Sequence, residues 1–136
     1  MEQLLKGKRI YILEDNAENI FVLIKLLEYH GAEPIIAWWF RGEVERVLSN
    51  LPIDLTLLDL MLPDGRTGYE ALAEIRSVPE LATIPAVAVS ASDSDTALPK
   101  AREAGFNGYI SKPIEVTLFP QQLLAVLNGE AVWDGR

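Results

Sequence analysis

Five side chains stand at the ends of short apolar runs, and together they could do chemistry. Glu14 and Asp15 close the run 9–13, Asp59 closes Leu55-Thr56-Leu57-Leu58, Ser90 closes 86–89, and Lys112 follows 108–111. Three carboxylates brought together repel one another and call for a cation among them. Oxygen-only ligands, few in number and with positions left for water, favour Mg²⁺. A hydroxyl and an ammonium beside them complete a set suited to phosphoryl transfer onto an aspartate. Asp59 would be the nucleophile. The cation and Lys112 would neutralise the transferred phosphoryl oxygens, and Ser90 would donate a hydrogen bond. Each residue alone has a plainer explanation. Glu14 and Asp15 suit a helix start, Asp59 a turn, Ser90 an ordinary strand end, and Lys112 a solvated lysine. The coincidence of chemistry-bearing residues at four strand ends is what carries the reading.

The elements that must position these residues follow from apolar spacing. Runs 9–13, 33–37, 55–59, 86–90 and 108–111 read as short strands, and the run ending at Asp59 has the near-continuous apolar character of a strand buried on both faces. Between them lie helical patterns. Ile20, Leu23, Ile24 and Leu27 follow a cap at Asp15 or Asn16, with Gly31 at the far end. Val44, Val47 and Leu48 mark a short second helix, and Leu72 and Ile75 a third over 69–76. Capping residues at 92–95 announce a fourth ending at Gly105. Pro99 is awkward inside it, so a start at Pro99, where proline is welcome as the first residue, is the alternative. Pro120 opens a fifth, with Leu123, Leu124 and Leu127 inward. Strict alternation predicts an α/β fold, a parallel sheet with helices on both faces. The flavodoxin-like three-layer sandwich, with five strands in the order 2-1-3-4-5 and five helices, fits this length. That order makes strands one and three neighbours, so Glu14, Asp15 and Asp59 converge where such sheets bind ligands. Residues 1–128 are expected to form one domain and residues 129–136 a short polar tail.

Composition excludes several classes. The 136 residues suit one domain. There is no cysteine, hence no disulfide and no thiolate metal site. The formal net charge of -8 argues against binding a nucleic-acid backbone. No apolar run approaches the ~18 residues of a membrane span, and the first residues lack a signal-peptide core. The expected location is cytoplasmic, with no membrane association.

The motifs Ile12-Leu13-Glu14-Asp15-Asn16, Leu57-Leu58-Asp59-Leu60-Met61-Leu62-Pro63, Val89-Ser90-Ala91 and Tyr109-Ile110-Ser111-Lys112-Pro113-Ile114 resemble those of the receiver domain of two-component response regulators. The resemblance runs from about Lys8 to Leu127. It implies a phosphoprotein of signal transduction, acting in a phosphorelay or as a switch, that catalyses only its own phosphorylation and dephosphorylation. By resemblance Asp59 is the phosphoacceptor, and Glu14, Asp15, Asp59 and the backbone carbonyl of Met61 hold Mg²⁺. Ser90 and Lys112 contact the phosphoryl group, and Ser90 with the aromatic Tyr109 forms the switch. The Lys112–Pro113 bond is a candidate for the cis form. The implied donor is a sensor histidine kinase or a histidine phosphotransfer protein.

Three features depart from the family pattern. Glu14 stands where aspartate is common, the loop 63–68 is one residue longer than usual, and Pro99 interrupts the helix after strand four. With residues 129–136 too few for an effector domain, the expectation is a single-domain response regulator signalling through phosphorylation-dependent protein contacts, including a possible homodimer. A receiver module excised from a larger protein is the alternative. An aspartate-nucleophile phosphatase is a rival from another class, but it wants an acid two residues after the nucleophile, where this chain has Met61. A flavin-binding module wants a hydroxyl-rich phosphate loop where Glu14 and Asp15 stand. A degenerate receiver serving as a binding scaffold has no reason to keep Asp15, Asp59 and Lys112. Trp38-Trp39-Phe40 reads as core packing or as an exposed aromatic contact patch.

Overall fold

A computed structural model describes residues 3–37 and 43–135. The aromatic stretch Trp38-Trp39-Phe40 lies outside the described residues. The elements run β1 (Arg9–Leu13), α1 (Ala17–Tyr29), β2 (Glu33–Ala37), α2 (Glu43–Ser49), β3 (Leu55–Asp59), α3 (Gly68–Arg76), β4 (Ala86–Ser90), α4 (Ser94–Ala104), β5 (Gly108–Ser111), α5 (Phe119–Leu127) and β6 (Val132–Asp134). All strand pairs are parallel, in the order β2-β1-β3-β4-β5-β6. The flavodoxin-like core is as the alternation predicts. The sixth strand corrects the five-stranded expectation, because part of the supposed tail pairs with β5, Tyr109 opposite Trp133.

Period-two alternation along each strand divides the core. Ile10, Ile12, Leu55, Leu57, Val87, Val89 and Ile110 pack on one side with Leu23, Leu26 and Leu27 of α1 and Leu123 and Val126 of α5. Tyr11, Leu13, Leu58, Ala86, Ala88 and Tyr109 pack on the other side, against Val47 of α2, Leu72 and Ile75 of α3, and Ala97 and Ala101 of α4. The three layers therefore follow directly from residue parity.

Helix boundaries follow from local chemistry. Asn16 caps α1, its side chain accepting from the Asn19 backbone N–H. Gly31 follows α1 at φ +85°, a conformation that favours glycine. Thr67 and Glu70 form a reciprocal capping box at the start of α3. α4 begins at Ser94 rather than at Pro99, which it carries in its interior. The Asp93 side chain accepts from the Asp95 N–H, Ala97 and Ala101 are buried, and Gly105 closes the helix in the left-handed conformation. Good caps and a buried small-residue stripe hold α4 through the proline.

Candidate functional site

Parity also decides which strand-end residues meet. Glu14 continues the series Ile10, Ile12; Asp59 continues Leu55, Leu57; Lys112 continues Ile110. All three therefore belong to the α1 side of the sheet at its carboxyl edge. Lys112 Nζ lies 2.6 Å from Glu14 Oε1 and 2.9 Å from Asp59 Oδ2, so one ammonium bridges two strands' carboxylates. Glu14 is 2% exposed and Asp59 8%. Asp15 is exposed beside them, and Glu14, Asp15 and Asp59 each offer a carboxylate oxygen within 4.8 Å of the others. That donor set, all oxygen and open on Asp15's side, fits a hard divalent cation. The Met61 carbonyl accepts none of the backbone hydrogen bonds found among the described residues, which leaves it available as a further oxygen. The Met61 N–H donates to Asp59 Oδ1 at 3.0 Å, fixing the second carboxylate oxygen.

The electrostatics follow from burial. Desolvation raises the Asp59 carboxyl to about 7, and its hydrogen bond with Glu14 pushes the same way, against the Met61 N–H and Lys112. Burial also pushes Glu14 up, but hydrogen bonds with Asp59 and Lys112 outweigh it and leave Glu14 below its ordinary value. Burial alone would lower Lys112; its bonds to the two carboxylates raise it above the ordinary lysine range. Asp59 is thus the carboxyl that keeps a proton most readily, and a cation in the cluster would favour its ionised form.

The backbone brings α3 close to the site. The Met61–Thr67 bridge folds the longer loop back on itself, around a short 3-10 turn at Pro63–Gly65. Gly68 opens α3 so near β3 that a Cβ there would lie 2.4 Å from the Asp59 carbonyl oxygen. Only glycine permits this approach. The Lys112–Pro113 peptide bond is cis, and so is Leu51–Pro52.

Ser90 and Tyr109 belong to the other parity and face the α4 side. Ser90 is fully buried, and its Oγ accepts from the Ser92 N–H at 2.9 Å. Tyr109 is buried too, its hydroxyl 3.4 Å from the Ser92 carbonyl. A ring that would turn inward during switching is already inward here, in a core shared with the small residues Ala88, Ala97 and Ala101. Apolar spacing also misses Asn19. Its Nδ2 donates to Glu14 Oε1 at 3.0 Å. The available signal was a polar residue beside Ile20, on the core edge of an apolar helix.

No helix is long and apolar enough to cross a membrane among the described residues. The response regulator receiver domain profile matches residues 10–124. The chain is 27% identical to protein PilH of Pseudomonas aeruginosa, over 89% of this chain and 98% of that protein. It is 32% identical to the polar-differentiation response regulator DivK of Brucella ovis, over 89% of this chain and 97% of that one. Among solved structures it is similar to a CheY-like response regulator receiver domain protein from Methanospirillum hungatei, with TM-score 0.76 and 26% identity over 90% of this chain and 94% of that one. It is also similar to the N-terminal domain of the nisin resistance regulator NsrR, with TM-score 0.77 and 27% identity over 90% and 99%. Fold, acidic cluster and sequence agree, and the chain belongs to the response regulator receiver domain family.

Proposed function

We propose that Asp59 accepts a phosphoryl group from a phosphohistidine on a kinase or phosphotransfer protein, and that the chain signals through protein contacts that depend on it. The observation that carries this reading is the Asp59 carboxylate at the end of β3, held by the Lys112 ammonium and the Met61 N–H beside two further acids. Receiver domains interact with histidine kinases or phosphotransfer proteins and bind Mg²⁺ at their acidic cluster. Here Glu14, Asp15, Asp59 and the Met61 carbonyl would hold the ion. When bound, it supplies charge neutralisation for the entering phosphoryl oxygens.

An Asp59 carboxylate oxygen attacks phosphorus in line. The P–N bond to the donor histidine breaks, its electron pair returns to nitrogen, and a proton from solvent converts the departing imidazolate to neutral imidazole. The Met61 N–H and Lys112 orient the Asp59 carboxylate for this attack. Lys112 then passes from Asp59 to a phosphoryl oxygen, so its charge follows the developing negative charge. Met61 stands where an acid would assist hydrolysis in a phosphatase, and a thioether transfers no proton. That favours a phosphoacceptor over an enzyme turning over a separate substrate.

Output would begin at Ser90. Rotation of its Oγ toward the phosphoryl group breaks the bond from the Ser92 N–H and frees the loop that carries the Tyr109 hydroxyl's acceptor. Because Tyr109 is already buried, the change falls on this loop and the start of α4 rather than on a swing of the ring.

The test is incubation of the chain with acetyl phosphate, with and without Mg²⁺, followed by intact mass. The wild type should gain one phosphoryl group only with Mg²⁺, and Asp59→Asn none. Equal labelling of both proteins would overturn the assignment.

A further inference from the structure

Glu14 stands one methylene further from its backbone than an aspartate would, with one more rotatable bond to fix. A buried carboxylate in this position needs every oxygen bonded. Oε2 accepts from the Asp15 N–H at 3.1 Å, and Oε1 accepts from both Lys112 Nζ and Asn19 Nδ2. We propose that Asn19 is a positioning residue which holds the Glu14 carboxylate in place for the divalent cation and keeps it there when Lys112 turns to the phosphoryl group. The proposal rests on the reading that Glu14, Asp15 and Asp59 hold Mg²⁺.

Two of the three donors are differently committed. Lys112 is shared with Asp59 and is the group expected to leave for a phosphoryl oxygen. The Asn19 amide makes no bond to Asp59 among the described residues, and it is neutral, so it adds no charge against a cation. Facing a carboxylate, it must present its NH₂. Its own place is fixed, because the Asn19 backbone N–H donates to the Asn16 cap at 3.0 Å and the next residue, Ile20, is buried. Asn16 therefore anchors the turn of α1 from which Asn19 reaches back to Glu14. Asn19 and Lys112 share an apolar pocket with Val22, Leu23, Val89 and Pro113. Such surroundings strengthen a hydrogen bond to a charged oxygen.

The experiment uses the full chain and two readouts. Mg²⁺ is titrated calorimetrically into wild type, Asn19→Ala, Asn19→Gln, Glu14→Asp and the double variant Glu14→Asp/Asn19→Ala. Loss of a partner that orients a metal ligand weakens metal binding by about ten-fold or more. Asn19→Ala should show that loss, and Asn19→Gln, which keeps an amide on a longer arm, should recover part of it. In the Glu14→Asp background the shorter carboxylate falls short of Asn19, so the second substitution should change affinity little. In metal-free protein, the Asn19 side-chain NH₂ resonances should shift on Glu14→Ala. Asn19→Ala with wild-type Mg²⁺ affinity, or an equal loss on Asn19→Ala in the wild-type and Glu14→Asp backgrounds, would overturn the positioning role. Wild type that binds no Mg²⁺ would instead overturn the reading of the acidic cluster. An unshifted Asn19 amide in that case would remove the Glu14 contact as well. Melting curves in chelator identify any variant that has lost its fold, and for such a variant Asn19→Gln alone decides.

Discussion

At the scale of residues, the Asp59 carboxyl has an ordinary value of 3.8 and is pushed up to about 7 by burial and by Glu14. The folded chain therefore binds a proton that the unfolded chain has already released over the interval between those values. Stability from this group is fully present below about pH 4 and is lost as pH rises through about 7. Glu14 is displaced the other way, so it adds stability above its ordinary range and loses it on acidification. In chelator, the melting temperature should fall between pH 5 and 8, and Asp59→Asn should flatten the decline. A wild-type curve as flat as that of Asp59→Asn would show that Asp59 ionises without penalty. The candidate site residues were legible because each stands at the end of an apolar run, and parity then puts Glu14, Asp59 and Lys112 on one face. Ser90 was read at the same sheet edge from its strand end; its Oγ accepts from the Ser92 N–H here and would reach a phosphoryl group by rotation. Asn19 was hidden because apolar spacing describes what a helix buries and is silent about where a polar side chain on its edge reaches.

At the scale of elements, α4 and β6 are where the structure departs most from the periodic pattern. α4 passes through Pro99 without a break, although proline in a helix interior costs about 3 kcal/mol relative to alanine. Pro99→Ala should raise stability by roughly 1–3 kcal/mol in urea denaturation. No gain would mean that the helix has already adjusted to the ring at no cost. The start read from the capping residues at 92–95 holds over the alternative start at Pro99, because the Asp93 cap and the buried Ala97 and Ala101 prevail over proline's local preference. β6 is three residues long, too short to show an alternation, and so it read as tail. Side chains from elsewhere in the chain add to its pairing with β5. Ser94 Oγ donates to the Gly135 carbonyl at 2.6 Å, Ser111 Oγ to the Asp134 carbonyl at 3.1 Å, and Gln122 Nε2 to the Asp134 carboxylate at 3.0 Å. The Arg102 guanidinium lies 4.7 Å from the centre of the Trp133 ring. Ending the chain after residue 131 should lower stability by roughly 2 kcal/mol, from lost side-chain hydrogen bonds and apolar cover. An unchanged urea midpoint would show that β6 contributes only at the margin.

At the scale of the whole molecule, sheet order decides function. With β1 between β2 and β3, the acids ending β1 lie beside the one ending β3, and Lys112 reaches them from β5 across β4. The strand order was available only from the size and type of the fold, since spacing along a chain does not fix which strands are neighbours. Three clustered acids, two of them bridged by one lysine, make a set that fits a cation. A ligand that binds only the folded state at one hundred times its dissociation constant adds about 2.7 kcal/mol. Mg²⁺ should therefore raise the melting temperature, and Asp15→Asn should erase most of that rise. An undiminished rise in Asp15→Asn would place the cation elsewhere. The central claim is that Asp59 is the phosphoacceptor, and the most direct measurement is chemical. The protein is treated with acetyl phosphate and Mg²⁺, reduced with borohydride to convert an aspartyl phosphate to homoserine, and digested for peptide sequencing by mass. Homoserine at position 59, absent when Mg²⁺ is withheld, is the predicted result. Homoserine at another aspartate with residue 59 intact, or at none, would contradict the account.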